Sequence, residues 1–233
     1  MEHLEPLYDR KMTCLVCKNV YTTKKIRSRF VRAIRHDTDF CSYYDPEDLN
    51  PLFYYVSVCP HCGFAVTEEF STYFPPSTLE TIQKKICEQW SGFDYGGKRT
   101  FQEAVNTYKL GIYSATLKHE KHITIAGLYM RLAWLYRTYK ITDQEQRFMR
   151  LALQEYITSY SEEDFIYTHM SEVRLLYLIG ELNRRLGNNK EAILYFSKVI
   201  AKKKETIEKR IVEMAYERWQ EIREQQKLVQ NKS

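Results

Sequence analysis

At 233 residues, with 44% hydrophobic and 28% charged residues, the chain has the make-up of a soluble globular protein. Eight glycines and six prolines exclude long flexible linkers, and no run approaches the roughly 20 apolar residues of a membrane span. The net charge of +5 is modest for this length, so its distribution along the chain matters more than its sum.

The first residues, Met1 to Pro6, lack a basic start followed by an apolar core, so no secretory leader is expected. Cys14-Leu15-Val16-Cys17 and Cys59-Pro60-His61-Cys62-Gly63 then form two cysteine knuckles. Two thiols two residues apart can reach one metal ion from one tight turn. Two such turns supply the four thiolates of a tetrahedral structural Zn²⁺ site, so Cys14, Cys17, Cys59 and Cys62 are the expected ligands. Iron or unmetallated thiols are the competing readings, and a redox pair would need only one Cys-x-x-Cys. Such a site is filled, so it builds a fold and leaves no position for catalysis. Thiols at metal spacing point to a reducing cytoplasm.

Between the knuckles, seven basic residues and no acid lie from Lys18 to Arg35, and five acids and no base lie from Asp37 to Asp48. Lys24, Lys25, Arg27, Arg29 and Arg32 could contact phosphates, with Tyr21, Phe30, Tyr43 and Tyr44 stacking on bases. The favoured alternative is a ribbon face neutralised by the acidic segment. Asp37 to Cys41 reads as a turn in which Asp side chains cap amides, and the competing reading is a second site built from His36, Asp39 and Cys41. Residues 29–34 and 53–58 have the aromatic and β-branched content of strands. His61 is expected at the surface and Cys87 as a small buried residue.

After Pro75-Pro76 the pattern turns helical. Ser77 to Glu80 and Thr100 to Glu103 have the form of capping boxes. Apolar residues at three- and four-residue spacing predict helices over 78–90, 101–118, 121–140, 143–160, 168–186, 189–203 and 206–229. His119 and His122 lack the spacing and the third ligand of a metalloprotease. No nucleotide-binding loop or nucleophile elbow appears, so the expectation is a protein that is not an enzyme.

Glu103 to Tyr108 and Glu191 to Phe196 share the pattern Glu-Ala-(Val/Ile)-x-x-aromatic. Val173 to Lys203 resembles a tetratricopeptide repeat, with Leu176, Ile179, Gly180, Leu186, Gly187, Ala192, Phe196 and Val199 on its signature positions. Ala126 to Ser159 follows the same ruler less fully. Ala133 and Gly180 lie 47 residues apart, against a usual period of roughly 34, and an insertion near Glu162 to Met170 absorbs the difference. The resemblance implies a concave groove lined by Met130, Trp134, Arg137, Tyr177, Glu181, Arg184 and Arg185. Three arginines with aromatics suit an acidic peptide, because Arg binds carboxylates through two parallel bonds.

The whole chain also resembles the bacterial domain-of-unknown-function family 2225. The carrying residues are Cys14-x-x-Cys17, Arg27 to Arg35, Asp37-Thr38-Asp39-Phe40, Asn50-Pro51-x-x-Tyr54 and Cys59 to Ala65. That resemblance implies a cytosolic bacterial protein and the same four zinc ligands. The expected architecture is α+β, mostly α. A zinc-ribbon module (1–75) precedes a tetratricopeptide-like α-solenoid of antiparallel helix pairs (76–233) that ends in a capping helix. The expected role is a protein-interaction scaffold or adaptor for a peptide or partner protein, the alternative being a nucleic-acid-associated protein.

Overall fold

The computed structural model describes residues 4–230; the start of the Met1–Pro6 stretch read for a leader lies outside them. Strands come in three antiparallel pairs: β1 (Leu7–Thr13) with β2 (Val20–Ile26), β3 (Ala33–His36) with β4 (Ser42–Tyr44), and β5 (Ser57–Val58) with β6 (Ala65–Val66). Helices follow: α1 (Thr78–Lys85), α2 (Phe101–Lys118), α3 (His122–Thr138), α4 (Thr142–Glu162), α5 (Glu172–Arg185), α6 (Asn189–Ala201) and α7 (Lys209–Gln230). From α2 onward each helix packs on the next, so the described part of the chain is mostly helical with small strand pairs at its start.

The strands are where sequence pattern and structure part most. β1 and β2, paired from Leu7↔Ile26 to Thr13↔Val20, were not anticipated, because Arg10 and Thr23 at inward positions and Val20 at an outward one blur the hydropathy alternation. The expected strand at 29–34 is instead a 3₁₀ turn, Ser28–Phe30, followed by β3. The expected strand at 53–58 begins as a 3₁₀ turn, Pro51–Tyr54, because the Asn50 side chain accepts the Leu52 amide at 2.9 Å; only Ser57–Val58 is extended. Short-range side-chain bonds have overridden strand propensity here.

Helix ends follow local chemistry. Thr100 and Glu103 form the expected capping box, with Glu103 N–H on Thr100 Oγ1 (3.2 Å) and Thr100 N–H on Glu103 (2.7 Å). Ser77 does not cap: its φ of 64° is left-handed and its hydroxyl donates to Pro76 O. α1 stops at Lys85, short of the expected residue 90, and a 3₁₀ turn, Cys87–Gln89, leads to Trp90. α5 starts at Glu172 with Ser171 as N-cap, so the insertion after α4 is irregular chain.

One buried core runs from Cys14 and Tyr21 through Val56, Phe64, Tyr108 and Leu135 to Leu182, crossing the Pro75-Pro76 point without a break. Two polar clasps join the strand pairs to the helices. The Arg99 guanidinium, almost wholly buried, donates to Phe53 O (2.8 Å), Val56 O (2.7 Å) and Thr23 (3.3 Å). Lys118 pairs with Glu120 at 2.6 Å and donates to Tyr73 O, while Glu120 accepts the Ser71 amide. Buried charges are retained only when paired in this way. A second cluster, around Tyr177, Phe196, Ile211 and Ala215, packs α5, α6 and α7 together.

Candidate metal centre and the adjoining groove

Each knuckle is the turn of a hairpin. In the first, Cys14 N–H bonds Asn19 O (3.0 Å) and Lys18 N–H bonds Cys14 O (3.2 Å). In the second, Cys59 N–H bonds Phe64 O (3.0 Å) and Gly63 N–H bonds Cys59 O (2.8 Å). Both turns close through a left-handed residue four places after the first cysteine: Lys18 (φ 61°) and Gly63 (φ 73°). Lysine is tolerated in the first turn because it is exposed. Glycine is required in the second because Trp90 covers it: a Cβ at Gly63 would lie 2.4 Å from the indole, whose Nε1–H donates to Pro60 O at 2.8 Å. Gly63→Ala is therefore expected to destabilise the fold by about 1–3 kcal/mol and weaken metal retention, read by thermal melting and metal content.

The four sulfurs of Cys14, Cys17, Cys59 and Cys62 all lie within 4.8 Å of one another, with Cys14–Cys62 and Cys17–Cys59 each at 3.6 Å. A tetrahedron with metal–sulfur bonds of about 2.3 Å has edges of about 3.8 Å, so the donor set fits a four-thiolate ion. A hydrogen bond from the Cys62 thiol holds Cys14 down to about 5, the same bond pushes Cys62 up, and burial pushes Cys59 up to about 12. Thiols this crowded ionise together only when a cation shares their charge. Among the described residues, this is the one group of His, Cys, Asp and Glu side chains placed to share a metal. His61 is exposed, as expected. Cys87, expected as a small buried residue, is half-buried, and it stands outside the four-cysteine group.

Among the described residues, the acidic segment pairs with little of the ribbon's basic face. Lys24 pairs with Asp9 (2.7 Å) and Lys25 with Glu68 (2.8 Å). Arg27 lies over Tyr8 and Arg29 over Phe30, and Arg29 and Arg32 are exposed. Among the described residues, only Arg35 of that stretch reaches the acidic segment, at 4.0 Å from Asp37. Of the acids, Asp37 and Asp39 turn inward; the side chain of Asp48 lies outside the described residues.

That inward turn enters the helical groove. Arg137 of α3 donates to Asp39 through both terminal nitrogens (2.9 and 2.6 Å), to Asp37 (3.0 Å) and, through Nε, to Glu145 (2.6 Å). Trp134 Nε1–H reaches Asp39 at 3.2 Å. From α5, the Tyr177 hydroxyl donates to Thr38 O (2.7 Å), Thr38 donates to Glu181 (2.5 Å), and Arg185 donates to Thr38 (3.1 Å) and Glu181 (2.8 Å). Arg184 donates twice to Glu181. Met130 is buried in the same wall. The sequence-derived groove residues are thus brought together, and Arg137, Tyr177, Glu181 and Arg185 are engaged by the chain's own Asp37-Thr38-Asp39 turn. Burial would raise the fully buried Asp39 carboxyl, but the Arg137 bonds and the Arg185 charge outweigh it and hold it below the usual carboxylate range.

His36, Asp39 and Cys41 do not converge. His36 stands on exposed β3 and bonds Ser42 (2.9 Å), Asp39 belongs to Arg137, and Cys41 is buried with its thiol pushed up to about 12 by burial. A thiol held that high is a poor nucleophile at neutral pH. His122 pairs with Glu155 at 2.6 Å.

Small antiparallel strand pairs that carry a four-cysteine cluster able to hold a metal ion, packed against a helical array, define the class of architecture. The family described as "Uncharacterized protein conserved in bacteria (DUF2225)" matches residues 7–222, and the chain belongs to it. No curated protein matches the chain. No solved structure matches it either. No helix of the described residues is long and apolar enough to cross a membrane.

Proposed function

We infer that the protein is a zinc-stapled, tetratricopeptide-like scaffold that binds a peptide or partner protein in the bacterial cytoplasm. The observation that carries the binding role is an open cleft of about 1640 Å³ between the ribbon and helices α3 and α5. It exceeds the roughly 300–1,000 Å³ of small-molecule sites. Met130 and Trp134 of the groove line it, whereas the arginine end of the groove is held by the 37–39 turn. Four sulfur donors at tetrahedral spacing favour Zn²⁺ in a closed structural site, and a reducing compartment keeps such thiols available. The repeat reading draws support from Gly180, whose Cβ would lie 2.8 Å from the Phe196 ring, the small-against-large contact its signature positions imply. The nucleic-acid reading is weaker because Lys24 and Lys25 are already paired within the chain.

Metal analysis of the purified chain is expected to give one zinc per chain. Affinity capture from its bacterial host is expected to retain a polypeptide on the wild type, and binding should be reproduced with that polypeptide purified. If nothing is retained over bare matrix, the scaffold reading fails.

A further inference from the structure

Beyond the groove, we propose that one end of the helical array is a contact surface for an anionic lipid membrane, with Tyr167 and Ile207 entering the interface and Lys203, Lys204 and Lys209 facing the headgroups. Tyr167 and Ile207 are the two most exposed large apolar side chains among the described residues, at 101% and 95%. One exposed apolar residue is ordinary on a protein surface. Two that stand fully clear of the chain, on adjoining segments beside unpaired lysines, form a pattern.

Contacts between the segments that join the helices place both residues at the same end. Lys121, just before α3, donates to Ile166 O at 3.1 Å, and the His122 amide bonds Asp164. The stretch before α5 is tied in turn to the stretch before α7. Lys202 pairs with Glu172 at 2.8 Å, and Glu208 accepts from Ser171 and, at 2.9 Å, from Arg174. Tyr167 has φ 62°, a left-handed conformation that turns the chain sharply at an exposed tip. On the other segment Lys209 Nζ closes onto Lys203 O at 2.6 Å, and Ile207 stands outside that closure.

The lysines here have no carboxylate to neutralise them. Lys203 and Lys204 are exposed and form no ion pair among the described residues, and the Lys209 ammonium meets a backbone carbonyl. The other charges of the 202–210 segment are taken up within the chain: Lys202 by Glu172, Glu208 by Arg174 and Arg210 by Glu213. Glu205 is the one acid of that segment without a cation, so the segment keeps a positive surplus. On the Tyr167 segment, Glu162 faces His122 at 3.6 Å, and the exposed Glu163 is offset by Lys121, whose ammonium meets Ile166 O.

Shape decides between a membrane and a protein. Protein hot spots are pockets ringed by contacts that exclude water. These side chains stand on projecting tips instead. A bilayer surface needs no matching relief: its headgroup region accepts tyrosine and aliphatic side chains one by one, and its anionic lipids attract the lysines beside them. A second copy meeting this face symmetrically would set the same lysines against each other.

The test is flotation of the full-length protein with vesicles of phosphatidylcholine alone and of phosphatidylcholine and phosphatidylglycerol in equal parts. The protein should float with the anionic vesicles at low salt, less so as salt rises, and not with the neutral ones. Lys203→Glu with Lys204→Glu should weaken binding about tenfold or more, since one charge near such a surface is worth about fivefold. Ile207→Asn and Tyr167→Asn should each weaken it about fivefold. All these variants should keep the wild-type Tm, because the side chains they change are exposed. Lys84→Glu with Lys85→Glu, the same charge change on exposed positions of α1, should leave binding unchanged. No flotation with anionic vesicles at low salt overturns the proposal, as does binding that the α1 variant weakens equally or that the four tip and lysine substitutions leave intact. A wild-type dimer split by Ile207→Asn in sedimentation equilibrium would put a second copy in place of the membrane. Failure here leaves the groove reading untouched.

Discussion

Arg137→Met is expected to lower stability by about 3–5 kcal/mol, the range for breaking a buried ion pair from one side. For a chain of this size that corresponds to a fall in Tm of about 6–20 °C. The reason is geometric. Arg137 is the common donor to Asp37, Asp39 and Glu145, and Asp39 is fully buried. Without the guanidinium, Asp39 keeps Trp134 at 3.2 Å and a more distant Arg185 at 3.5 Å, too little for a desolvated carboxylate. Asp37→Asn should cost much less, because Asp37 is partly exposed.

A pH series separates this cause from simple loss of packing. In the wild type the folded-state value of Asp39 lies below its unfolded value. Its contribution is therefore fully present above the ordinary carboxylate value of about 3.9 and is lost as pH falls through the lowered folded value. In Arg137→Met the main lowering cause is gone, and burial then outweighs the more distant Arg185 charge and raises the group. The sign then reverses, and the stability gap between variant and wild type should narrow as pH falls from 7 to 4. Equal pH slopes in the two proteins, measured by denaturant unfolding, would rule the ion pair out as the source.

The uneven legibility of the chain has physical causes. The four cysteines were readable because metal geometry imposes a spacing that survives any surrounding sequence. Helices α2 to α7 were readable because long apolar periodicities outweigh local detail. The capping box read at Thr100 forms and the one read at Ser77 does not, because a cap needs an extended backbone and Ser77 is left-handed. β1 and β2 escaped notice although their burial alternates, because polar Arg10 and Thr23 stand at inward positions and apolar Val20 at an outward one. Repeat spacing grouped Arg137, Arg184 and Arg185, and in the fold Arg137 and Arg185 both reach the 37–39 turn. That intramolecular occupant was not readable, since Asp39 and Arg137 are 98 residues apart and no local pattern joins them. Charge balance read along the chain assigned the acids 37–48 to the ribbon; the fold gives Asp37 and Asp39 mainly to the helices instead.

Cys59→Ser, or exhaustive chelation, is expected to have the largest effect of all. Binding free energies for four-ligand zinc in small modules are about 10–16 kcal/mol at neutral pH, against a total stability of about 5–15 kcal/mol for an ordinary domain. Cys59 is fully buried and its knuckle also seats Phe64 and Gly63 against Phe74 and Trp90. Losing the metal therefore loosens β5 and β6, whose Ala65 amide is bonded to Ser114 of α2 at 3.1 Å. From there the disturbance reaches Val56, which Gly111 of α2 approaches so closely that a Cβ would lie 3.1 Å away. The consequence distinguishes two architectures. If the continuous core makes ribbon and helices one cooperative unit, chelation should lower the midpoint of the helical far-UV signal together with the near-UV aromatic signal, in one transition. If the helices stand alone, the far-UV midpoint will not move while the near-UV signal of the ribbon collapses. Acid should act in the same direction as chelation, because protons compete with the metal for the four thiolates.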